Sequence, residues 1–168
     1  MEQNKKRGEA YHEAGHVVIG VLVGKHVEFV NLDAKQEDGT PGAFVRWTAG
    51  VPPTIPLPIA DAFREGVTLV AGYEAQDHFA RETFENQSDW SDRADVTNTA
   101  RKAGLDEKSF DNRCRKRAKE MLKEPKVRMA IELVAQKLMV EGGMIDGAIL
   151  EKLVTSVAGP LRSINEAV

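Results

Sequence analysis

The run Arg7-Gly8-Glu9-Ala10-Tyr11-His12-Glu13-Ala14-Gly15-His16-Val17-Val18-Ile19-Gly20-Val21-Leu22-Val23 decides how this chain is read. A polar, charged approach from Glu2 to Glu9 gives way to an apolar stretch after His16. That pattern predicts a helix over about Lys5 to Val23, stopped at Gly24, whose second half is buried in a core. Inside it stands the pattern His-Glu-x-x-His, at His12, Glu13 and His16. Residues four apart lie one above the other on a helix face, so both imidazoles can point at one spot. Two neutral imidazoles are half of a tetrahedral Zn²⁺ site. Glu13 adds a carboxylate beside it, placed to take a proton from a water at the metal. A buried helix with two His and one Glu near its inner side needs such a reason, because unpaired buried polar groups are costly.

Length and composition bound the rest. The chain has 168 residues, enough for one domain (1–168) with a substantial core. Hydrophobic residues make up 42% and charged residues 29%, the proportions of an ordinary globular chain. A net charge of −3 gives no reason to expect nucleic acid as a partner. The single cysteine, Cys114, excludes an internal disulfide and fits a reducing compartment. Its basic neighbours Arg113, Arg115, Lys116 and Arg117 suggest a cysteine on a helix surface. No apolar run is long enough for a membrane span, and the polar start is unlike a signal peptide, so the expected location is cytoplasmic.

Outward from the first helix, two β-like runs follow, His26–Leu32 and Gly42–Trp47, around the turn-rich Asp33–Pro41. They predict a small hairpin or sheet near residues 26–47. Four prolines in Val51–Pro58 predict a loop. A long helix is expected over Ile59 to about Phe84, with Gly72 allowing close packing, then a polar loop from Glu85 to Ser91. Asp92 or Asp95 opens the next helix, which runs to Gly104, and Asp106 caps the one after it. Ile131–Val140 is amphipathic and ends at Gly142-Gly143; Asp146 caps a last helix through Val157, stopped by Gly159-Pro160, with a frayed tail after Leu161. The expected fold class is mainly α (α+β).

A catalytic zinc needs a third protein ligand and an open position. Glu74, His78, Asp92 and Asp95 are the candidates, and composition does not choose among them. For either aspartate the plain alternative is a helix N-cap. The extended metzincin pattern is absent, since Ile19 stands where it has Gly.

Tyr11-His12-Glu13-Ala14-Gly15-His16-Val17-Val18 resembles the peptidase domain of the FtsH (M41) family of zinc metalloproteases. Downstream, Leu69–Gln76 is similar to that family's Ala-Gly-Arg-x-Ala-Glu helix, and Asp95–Ala103 to the segment where an Asp and an apolar residue open a helix. Leu133–Leu150, with Glu141-Gly142-Gly143-Met144-Ile145-Asp146-Gly147, resembles its closing helical pair. The resemblance implies a helical, zincin-like peptidase domain with Zn²⁺ held by His12, His16 and Asp95, and Glu13 as catalytic base. Asp95 is preferred to Asp92 because apolar Val96 follows it, although Ala100-Arg101 suits an alignment on Asp92. Where the family has Asn before the aspartate and Glu two after it, this chain has Ala94 and Thr97.

The implied activity is a zinc-dependent endopeptidase; the alternative is a catalytically weak relative that binds metal or a partner. No phosphate-loop pattern of an AAA ATPase is present, so the expected substrates are peptides or unfolded protein segments, cleaved without ATP. Met1 and the polar start favour a stand-alone protein. Self-association or a separate unfoldase is left open as a partnership. Gly42–Trp47 is the candidate strand for holding a peptide.

Overall fold

The computed structural model describes residues 2–35, 41–48, 56–83 and 90–160. The first helix, α1 (Glu2–Leu22), is buried at every position from His12 to Val23, as the apolar stretch requires. A helix apolar on all sides needs neighbours on all sides, and α1 has them. It packs on α2 (Ile59–Phe79), α5 (Pro125–Glu141) and α6 (Gly147–Ala158), and touches the sheet formed by β1 (Val27–Lys35), β2 (Pro41–Trp47) and β3 (Met144–Asp146). Two further helices, α3 (Trp90–Lys102) and α4 (Glu107–Leu122), lie against the other side of α2. The chain is therefore mainly helical with a small antiparallel sheet, and one apolar core draws residues from all six helices.

Small residues set the closest approach in the core. A Cβ on Gly15 would collide with the Ala71 carbonyl oxygen and lie 2.6 Å from the Ala75 Cβ. The backbones of α1 and α2 thus meet at the turn that carries His12 and His16. One turn beyond His16, Gly20 leaves room for the Trp47 ring of β2.

The sheet has the order β2-β1-β3. Its hairpin pairs Val30 with Val45 and Asn31 with Phe44. The third strand is not foreseen from the sequence: Met144–Asp146 pairs with Phe29–Asn31. Gly142 and Gly143, both at positive φ, turn the chain into it, and Asp33 ties the turn by accepting from Gly143 N at 2.7 Å and Lys6 Nζ at 3.0 Å.

Helix ends follow their capping chemistry, with some corrections. Asp106 accepts from Ser109 N and Asp146 from Ala148 N, both as expected N-caps. The helix predicted to reach Phe84 ends at Phe79, with Arg81–Thr83 forming a short 3₁₀ turn. Pro125 at the first turn of α5 starts that helix six residues before the amphipathic stretch. α3 begins at Trp90, so Asp92 and Asp95 are both inside the helix and neither is its cap. Cys114 is not on the surface: it is fully buried, its Sγ filling the space beside Gly66. Most of the proline-rich loop (51–55), the turn at 36–40, most of the polar loop (84–89) and the tail (161–168) lie outside the described residues. Among the described residues no helix is long and apolar enough to cross a membrane.

Candidate metal centre

His12 and His16 are 9% and 8% exposed, and Glu13 between them 5%. The helical spacing stacks the two imidazoles edge to face, with Nε2 atoms 3.0 Å apart. Asp92, from the first turn of α3, brings Oδ2 to 3.0 Å from His12 Nε2 and 3.3 Å from His16 Nε2. Two nitrogens and one carboxylate oxygen thus form a nearly equilateral triangle.

That triangle fits one small cation. Ligand atoms about 2.0–2.1 Å from a tetrahedral zinc lie about 3.3 Å from one another. His16 Nδ1 lies 2.9 Å from the Thr68 carbonyl oxygen, which can only accept, so Nδ1 carries the hydrogen. In the neutral ring Nε2 is then a bare lone pair, aimed at Asp92 and His12. Metal-ligating histidines are held in this way by a backbone carbonyl behind the ring. His12 lacks that support among the described residues: its Nδ1 is buried without a hydrogen-bond partner.

Gly72 of α2 closes the argument for a fit. A Cβ there would collide with His16 Nε2 and lie 2.8 Å from His12 Nε2. The absence of a side chain keeps the space in front of both nitrogens open. Among the described residues, His12, His16 and Asp92 are the one group of three placed to hold a metal ion.

The electrostatics agree with a site built for positive charge. Burial works against the charged form of His16, but the Asp92 carboxylate outweighs it and raises the group to about 9. Asp92 itself is partly buried; the two histidines overcome that cost and hold its carboxyl well below the usual range. Burial pushes Glu13 up, opposed by His12 and His16 and reinforced by Asp92. A carboxylate drawn toward neutrality is suited to exchanging protons with a reacting group.

The other candidate ligands lie elsewhere. Asp95 is exposed on α3 and lies outside the cluster, whose carboxylate is that of Asp92. Glu74 is buried on α2 but is answered by Arg115 at 3.1 Å and Lys119 at 3.5 Å, both from α4. His78 is exposed, its ring edge-on to Phe79. Asp92 carried a readable signal: it stands four before Val96 and eight before Ala100, on the buried stripe of α3. Asp95, one before Val96, is rotated off that stripe. No protein-family model matches the chain, and no curated protein matches it either.

Proposed function

We propose that this chain is a zinc metallopeptidase of the FtsH (M41) type, with His12, His16 and Asp92 as metal ligands and Glu13 as the base. The observation that carries the reading is the placement of His16 Nε2, a lone pair once the ring is neutral. It is fixed by the Thr68 carbonyl and converges with His12 Nε2 and Asp92 Oδ2 on a space that Gly72 leaves open. A zinc ion held by His12, His16 and Asp92 would supply Lewis acidity and make a nearby water easier to deprotonate. Glu13, whose carboxyl burial pushes up from its ordinary value, takes the proton of the attacking water and returns it to the leaving amine. Among the described residues β2 pairs only with β1, leaving an edge for an extended peptide, and its Trp47 packs at Gly20, one turn from His16. The substrates are peptides or unfolded segments, cleaved without ATP in this chain. The single cysteine suits a cytoplasmic setting.

Zinc stoichiometry and peptide cleavage, measured together on the unaltered protein and Glu13→Gln, test this. One zinc per chain is expected in both, with cleavage lower by about a thousandfold in the variant. No zinc uptake by the unaltered protein overturns the reading. Zinc bound without cleavage of any peptide leaves a metal-binding relative in place of an enzyme.

A further inference from the structure

Asp92 arrives on the least apolar of the elements that make the site. Among its described side chains α3 buries Val96, Thr99 and Ala100, small groups that do little to fix how far the helix slides along α2. The metal-site triangle nevertheless requires the carboxylate to be placed within a few tenths of an ångström. What holds it there is found on the side of Asp92 facing away from the imidazoles.

Tyr73 follows Gly72 on α2. Its ring carries the guanidinium of Arg93, the residue next to Asp92, at 5.7 Å, and that of Arg115, from α4, at 5.1 Å. Arg115 is itself held by Glu74 at 3.1 Å and by both oxygens of Asp111 at 3.1 and 3.0 Å. Tyr73, Asp92, Arg93, Val96 and Arg115 close together beside Asp92, leaving no room for a water molecule among them. The Tyr73 ring with its two arginines thus closes this side of Asp92.

We infer that Tyr73 and Arg93 are positioning residues: the ring, braced from α4 by Arg115, holds α3 in the register at which Asp92 completes the metal site. The inference rests on the metal-site reading above. Cation–ring contact supplies attraction without a rigid hydrogen bond, and a preorganised ligand set binds its ion more tightly than one that must be gathered.

The two explanations of Arg93 predict opposite signs. As a mere bystander it repels a nearby divalent cation, so Arg93→Met would tighten zinc binding. As a positioning residue its loss weakens binding. The experiment measures zinc affinity by competition with a chromophoric chelator, and the visible absorption of the Co²⁺-loaded protein, for the unaltered chain, Tyr73→Phe, Tyr73→Leu and Arg93→Met. Circular dichroism of the metal-free forms checks folding. The expected result is unchanged affinity in Tyr73→Phe, a loss of about tenfold in Tyr73→Leu and a loss in Arg93→Met, with altered Co²⁺ bands in the last two. Equal or tighter zinc binding in Arg93→Met overturns the inference, whether or not Tyr73→Leu folds. If the unaltered chain takes up neither ion, the metal-site reading falls and this inference with it. If it binds both and the variants match it, only the inference falls.

Discussion

Glu74, on α2, and Asp92, on α3, are both carboxylates drawn inward, and the chain treats them in opposite ways. Glu74, 3% exposed, meets two cations of its own chain, Arg115 and Lys119. Asp92 meets two imidazoles, one of which points a lone pair at it when neutral. The first cluster closes its charge within the protein. The second is complete only with a proton or a metal ion at its centre. A buried charge answered by fixed cations of the chain is architecture, while one answered by imidazoles is answered by a proton that a metal ion can replace.

The largest effect expected from this contrast is a metal-linked gain in stability. Zinc at a thousandfold excess over its Kd raises the unfolding free energy by about 4 kcal/mol, read by urea unfolding with and without chelator. Asp92→Ala removes nearly all of that gain, and Asp95→Ala leaves it intact. The reverse result would return Asp95 to the ligand set. At the other cluster, Arg115→Leu leaves Glu74 buried with only the largely exposed Lys119. It lowers the stability of the metal-free protein by about 3 kcal/mol in the same measurement. A metal-free stability equal to that of the unaltered chain would show that Glu74 does not depend on Arg115.

Gly72→Ala sharpens the comparison from the side of α2. The added methyl occupies the space before His16 Nε2 and weakens zinc binding by about a hundredfold. Undiminished affinity by calorimetry would place the ion elsewhere. The gentlest probe changes no residue. Cys114 lies beside Arg113 and Arg115, yet burial first, and then Asp111, push its thiol up to about 12. A raised pKa keeps the thiol protonated, so at pH 8 only about one chain in ten thousand carries the reactive thiolate. Labelling by a thiol reagent is expected to be negligible until the protein unfolds, and to rise as pH approaches 12. Fast labelling of the native chain at pH 8 would mean that Cys114 is not held in the core.

Much of the fold was legible because the signals are local. The all-apolar half of α1 demanded a central position, and Asp106 and Asp146 announced their helices by side chains that cap backbone donors. The third strand escaped notice because three residues after two glycines carry no periodicity, and its pairing partner lies over a hundred residues away. Cys114 hides among charged residues because a helix puts neighbours on different sides: it faces the core while Lys116 faces out and Arg115 reaches across to Glu74. Asp95 was preferred for the apolar residue beside it. Helical geometry favours the residue four away, which shares the buried stripe.

By itself the sequence determined the turn of helix that carries His12, Glu13 and His16. A spacing of four residues brings two imidazoles together on any α-helix, and the apolar run after them commits that helix to the interior. Only the tertiary structure decided which carboxylate joins them, which glycine clears the space before them and which carbonyl turns His16 toward it. Asp92, Gly72 and Thr68 come from helices some fifty to eighty residues away in the chain. Their roles depend on how α2 and α3 are rotated against α1, a property of packing that no local spacing encodes.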